Sequence, residues 1–182
     1  NPVFDSGLSW LCEGTQTVVD FGCGAGTVLF LCAMLGTGRH TGIDLSPSAV
    51  EKAVIRAEKM GAGKFEFIKG GIEALEKVLD GSADAFVMSN ILDNLYPEDG
   101  AKLLSESRRI LRKGGKALIK LNAHLPQEQI KKLNIKVING DLLDDGLILL
   151  NRTTEKWKEL IEEYFTVVKY EEVPYPEHGQ AN

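Results

Sequence analysis

Residues 18–27, VVDFGCGAGT, hold the chain's densest chemistry: Asp20, then Gly22, Gly24 and Gly26 at alternate positions, then Thr27 opening an apolar run. Glycines in a turn between a strand and a helix leave bare backbone where side chains would block a ligand. The helix that follows aims unpaired N–H groups and partial positive charge at whatever binds. Such a loop serves an anionic ligand, or one carrying an anionic group. Its spacing narrows the choice. A dinucleotide turn reads G-x-G-x-x-G and needs glycine where this chain has Thr27, which disfavours an NAD- or FAD-linked enzyme.

Asp44 closes the stretch HTGIDL, 18 residues beyond Gly26. An acid at the end of the neighbouring parallel strand can accept both ribose hydroxyls of a nucleoside. Loop and acid together describe a nucleoside with a small anionic tail. The other reactive side chains carry less. Cys12, Cys23 and Cys32 are an odd number without zinc-site spacing, so they read as buried fillers, no metal is expected, and a reducing, cytoplasmic compartment follows. Asp93 reads as a solvated cap, His124 as a surface residue, and Tyr96 as either a pocket wall or a helix staple. None is assigned a catalytic role.

The elements that must position these residues alternate along the chain. VVDF, HTGIDL, KFEFIKG, ADAFVMSN and KALIKLN read as strands, separated by helical patterns. Ser46 and Pro47 mark the clearest helix start, a cap residue followed by a first-turn proline. A helix over 97–112 is expected to stop at the Gly114–Gly115 pair. Strand and helix in alternation give an α/β, doubly wound, mostly parallel sheet with helices on both faces. Over 123–151 the pattern breaks: PQEQIKKL is a weak helix, and IKVING and DDGLILLN suit an antiparallel excursion. A helix face returns at Trp157, Leu160, Ile161, Tyr164 and Phe165, with TVVKYEEV as a late strand.

With those motifs in place, the chain resembles the Rossmann-like (class I) S-adenosylmethionine-dependent methyltransferases. VVDFGCGAGT is similar to the family's first motif and GIDLS to its second. FIKGGIEAL, ADAFVMSNILDNLY and LLSESRRILRKGGKALIKLN follow in family order. The resemblance implies S-adenosyl-L-methionine as cofactor and a methyl group transferred in line to an acceptor. It implies that Asp20 orders the loop near the donor's amino group, and that backbone at Gly22, Cys23 and Gly24, with Gly26 completing the turn, meets its methionine part. It places the ribose on Asp44 and the adenine against Leu45, Gly71 and the Ile72 N–H, with Ser89 and Asn90 closing the site near the sulfonium. Many members carry an aspartate where this chain has Gly71, so adenine recognition is expected to rest on backbone or water. The family's sheet also ends in a two-strand hairpin; with TVVKYEEV as its sixth strand, the seventh would lie beyond Asn182.

Composition sets the frame. The chain of 182 residues is 43% hydrophobic, carries a formal charge of -5, and is expected to be one domain over 1–182, with 1–17 a partial N-terminal cap and 123–151 an irregular insertion. Both ends look cut, since the chain begins at Asn1 and finishes in polar residues. No apolar run approaches the roughly 20 residues of a membrane span. The run 102–120 holds seven basic residues and one acid, yet it lies on a helix whose other face is apolar, and net acidity argues against nucleic acid as partner. A small-molecule acceptor is therefore expected, its identity and the oligomeric state unspecified. The alternative is a module of the same fold that binds the donor without catalysis.

Overall fold

The computed structural model describes residues 1–173. Its elements run in chain order as α1 (Pro2–Cys12), β1 (Thr17–Phe21), α2 (Thr27–Met34), β2 (Arg39–Asp44), α3 (Pro47–Ala57) and β3 (Lys64–Lys69). A 3-10 helix (Ile72–Lys77) precedes β4 (Ala83–Ser89), and a second (Leu92–Asn94) precedes α4 (Pro97–Ile110) and β5 (Leu111–Lys120). The remainder is α5 (Gln127–Lys132), β6 (Lys136–Asn139), β7 (Leu142–Asp144), β8 (Ile148–Leu150) and α6 (Thr154–Glu162).

The central sheet has five strands in the order β3-β2-β1-β4-β5, every pair parallel. Period-2 alternation sends side chains of one strand into two different cores. On one face, Val18, Ala85 and Val87 meet Leu8 and Leu11 of α1 and Leu29 of α2. On the other, Val19, Phe86 and Met88 meet Leu103 and Leu104 of α4 and Trp157 of α6. Strand β4 is 0% exposed at Ala83, Ala85, Phe86, Val87 and Met88, which marks it as the centre of the molecule. The expected doubly wound architecture is present. The order reverses between β1 and β4, so the crevice between their carboxyl ends is where such a sheet binds ligands.

Three expectations need correction. TVVKYEEV forms no strand: its residues lack regular structure, Val168 is 70% exposed, and Tyr170 turns its ring to Lys158 and its hydroxyl to Thr154. Alternation alone does not make a strand when no partner edge receives it. The Gly114–Gly115 pair does not end α4, which stops at Ile110. It sits inside β5, where Gly114 has φ +76° and a register shift against β4 absorbs the extra backbone. The antiparallel excursion exists, but with β7 between the two expected partners, giving the order β6-β7-β8. This small sheet docks where Asn94 Nδ2 donates to the Ile148 carbonyl at 2.8 Å.

Among the described residues, no helix is long and apolar enough to cross a membrane. The basic run of α4 and β5 is engaged within the chain. Lys102 meets Glu76, Arg109 meets Asp80 and Glu106, and Arg112 meets Asp84. Lys116 donates to the carbonyls of Trp10 and Glu13, and Arg108 to that of Tyr164.

Candidate functional site

The glycine turn leaves β1 at the switch point. Gly22, Gly24 and Gly26 all take the left-handed conformation, with φ of +76°, +53° and +78°. At Gly26 the demand is double, because a Cβ there would also stand 2.9 Å from the Phe30 ring. The turn is pinned from below by Gly22 and Cys23, whose N–H groups donate to the Ile43 carbonyl at 2.8 and 3.1 Å. Arg56 of α3 holds it from outside, donating to the Ala25 carbonyl and Thr27 Oγ1 at 2.7 and 3.0 Å while lying over the Phe30 ring. Sequence reasoning missed Arg56, since nothing near it marks a residue whose partner lies 31 positions away.

Asp44 ends β2 beside the turn. Its Oδ2 accepts from the Gly24 N–H at 2.7 Å and its Oδ1 from the Ser46 N–H at 2.9 Å. Two motifs separated in sequence thus meet in one hydrogen bond. Leu45, next along, is 72% exposed, an apolar side chain laid open at the sheet edge. The main chain steps on to β3 through the Gly70 N–H, which donates to the Asp44 carbonyl at 3.0 Å.

Asp20, in β1 just before the turn, is 1% exposed. Burial, with the Asp44 charge adding, pushes its carboxyl up to about 8. No donor among the described residues hydrogen-bonds that side chain. Cys23, 7% exposed, is pushed up to about 12 by burial and by the neighbouring Asp20 and Asp44, so it is a filler and a poor nucleophile at neutral pH.

Across the switch point, Ser89 ends β4 and Asn90 follows in the left-handed conformation, φ +55°. Asn90 is held by Lys120, which accepts its N–H at the main chain at 2.9 Å and donates to its Oδ1 at 3.0 Å. Ile91 packs against Gly22, where an added Cβ would stand 3.0 Å from Ile91 Cγ1. Gly71 and Ile72 lie farther off, beyond β3. The turn, Asp20, Asp44 and Leu45 therefore share one side of the crevice, Ser89 and Asn90 the other.

Asp93 is not the solvated cap expected. It is 1% exposed, its Oδ2 accepting from the N–H and Nδ2 of Asn122 at 2.7 and 2.8 Å, while its Oδ1 has no partner among the described residues. Tyr96 is 46% exposed and borders a cleft of about 350 Å³ shared with Glu98, Asp141 and Arg152.

A family model described as a methyltransferase domain matches residues 13–164. The chain belongs to this family. The arsenite methyltransferase of Halobacterium salinarum is 38% identical to this methyltransferase domain over 106 residues, 57% of this chain and 26% of that protein. The arsenic(III) S-adenosylmethionine methyltransferase of Chlamydomonas reinhardtii superposes with a TM-score of 0.60 at 27% identity, covering 82% of this chain and 51% of that one. A SAM-dependent methyltransferase from Archaeoglobus fulgidus shares the fold, with a TM-score of 0.65 at 21% identity over 90% of this chain and 67% of that one. The chain spans 39%, 28% and 26% of the length of three curated relatives it matches.

Proposed function

We propose that this methyltransferase domain binds S-adenosyl-L-methionine across the switch point and passes its methyl group, in line, to a small-molecule acceptor. The observation that carries this reading is the Gly24 N–H on the Asp44 carboxylate at 2.7 Å, which brings together the turn proposed to take the donor's tail and the acid proposed to take its ribose. The residues fit the donor. Asp20 offers a buried carboxyl with no hydrogen-bond donor on it, suited to the ligand's ammonium group, and a Cβ at Gly24 would meet nothing within 4 Å, so backbone there is open to the methionine part. Leu45 supplies apolar surface for the base, and Ser89 with Asn90 faces the turn from the end of β4.

The donor supplies a methyl group on a sulfonium, already electrophilic. The chain's own task is then to fix distance and angle and to exclude water, and no acid or base is assigned. Lys102, Arg109 and Arg112 are paired with acids, and the chain carries a formal charge of -5, which supports a small acceptor over a nucleic acid. We read residues 1–182 as one such domain, working in a reducing, cytoplasmic compartment, a reading supported by three buried free cysteines.

Thermal melts with S-adenosyl-L-methionine, S-adenosylhomocysteine, NAD and FAD test the proposal. Either sulfur ligand at a hundred times its dissociation constant should add about 2.7 kcal/mol of stability, with no response to NAD or FAD. Asp44→Ala should remove most of the sulfur-ligand shift and leave the fold intact. A melt raised by NAD and unmoved by both sulfur ligands would overturn the assignment.

A further inference from the structure

A turn with glycine at alternate positions has much conformational freedom to lose when a ligand settles on it. Whatever holds such a turn beforehand lowers that cost and raises affinity by the same amount. Under Gly26 stands Phe30, whose Cε2 is 2.9 Å from the point where a Cβ on Gly26 would lie. Phe30 is set edge-on against Phe65 and Phe67 of β3, with ring centroids 5.0 and 6.1 Å apart. These rings form an aromatic pedestal beneath the last glycine of the turn.

Arg56 joins the pedestal to the turn. Its guanidinium lies 4.8 Å from the centroid of the Phe30 ring, while its Nη1 donates to the Ala25 carbonyl at 2.7 Å and to Thr27 Oγ1 at 3.0 Å. The residue belongs to the last turn of α3, yet helical side chains lean towards the N-terminus, and α3 begins at Pro47, just past Asp44. The long side chain therefore reaches back to the sheet edge that carries the glycine turn. One exposed residue thus fixes a carbonyl inside the turn, the first residue of α2 and the ring under Gly26.

We propose that Arg56 is a positioning residue of the methyl-donor site: it holds the glycine turn in its binding form before the donor arrives, and so sets donor affinity through the turn. The inference rests on the donor site proposed above. A purely structural role is the competing account, in which Arg56 only fastens α3 to α2. The two differ in what is lost with the side chain. A structural bond lowers resistance to denaturant and leaves the affinity of the folded chain alone, whereas a positioning bond lowers the affinity of the folded chain itself.

Isothermal titration of the folded chain with S-adenosylhomocysteine, read beside hydrogen exchange of the ligand-free protein, separates them. Arg56→Ala should weaken the ligand about tenfold, the equivalent of one or two hydrogen bonds that no longer preorder the turn. It should also speed exchange at the amides of Gly22, Cys23, Gly24 and Gly26, all hydrogen-bonded in the turn, more than at those of β4. Thr27→Val, which removes one of the two acceptors, should weaken the ligand by less, about threefold at most. Added to Arg56→Ala it should cost nothing further, because the hydroxyl's partner is already gone. Unchanged affinity or unchanged exchange in the turn after Arg56→Ala, or losses that simply add in the double variant, would overturn the positioning role. Failure of the unmodified chain to bind S-adenosylhomocysteine would overturn the donor site itself.

Discussion

Asp20 shows how far one residue can be displaced from its ordinary chemistry. Its carboxyl is raised from 3.8 to about 8, first by burial and then by the Asp44 charge. A folded value above the unfolded one means that, between about pH 4 and about pH 8, the folded chain keeps a proton the unfolded chain has lost. The stability this supplies is complete below the lower value and is lost as pH rises through the upper one. The slope approaches about 1.4 kcal/mol per pH unit inside that window and vanishes above it. Denaturant unfolding of the ligand-free chain from pH 5 to 9 should show Asp20→Asn gaining on the unmodified chain up to about pH 8, then running parallel to it. Parallel behaviour throughout would mean that Asp20 is ionised in the fold. A donor whose ammonium seats beside Asp20 favours the charged form, so binding below about pH 8 should release a proton.

At the scale of elements, a buried carboxylate ties the loop after β4 to the chain leaving β5. Asp93 Oδ2 takes both the N–H and the Nδ2 of Asn122, at 2.7 and 2.8 Å, and so ties the 3-10 helix Leu92–Asn94 to the end of β5. Removing this acceptor strands two partly buried donors. Asp93→Ala should cost about 1–3 kcal/mol in urea unfolding, with donor affinity reduced less than by Asp44→Ala. A loss below about 0.5 kcal/mol would show that the tie carries no stability. Such a bond explains why the loop was misread from sequence. An acid between strand and helix usually caps a helix in water, and its partner here lies 29 positions away. Elements declared by local chemistry were legible: Ser46 accepts from the Ala49 N–H as the cap its type predicts, and Pro47 opens α3. The same local pattern misled at TVVKYEEV, where no sheet edge completes the alternation, and at Gly114, where a strand irregularity and a helix stop use the same residue type.

Across the whole molecule, legibility follows burial. Strands β1, β2 and β4 could be read because their apolar residues are buried, and β3 and β5 because their apolar residues pack, partly buried, on the two cores. The segment over 123–151 could not, because its sheet is small and mostly wet. Every residue of β6 is exposed, and Ile130, Ile135 and Leu143 form a separate small cluster with Leu125 and Leu149. The candidate site divides the same way, since the turn and Asp44 are marked by local spacing while Arg56 and Asp93 act on partners 31 and 29 positions away. This unequal burial has a measurable consequence. Amides of β4, covered on both faces, should exchange with solvent only through global unfolding, whereas those of β6 should exchange through local opening at a lower free energy. With the donor site proposed at the carboxyl ends of β1 and β2, saturating S-adenosylhomocysteine should raise protection of β4 by the full binding contribution and leave β6 nearly unchanged. Native-state hydrogen exchange read by mass spectrometry or NMR resolves both segments. Equal protection of β6 and β4, or an equal response to ligand, would mean that the small sheet is part of the same cooperative unit as the donor site.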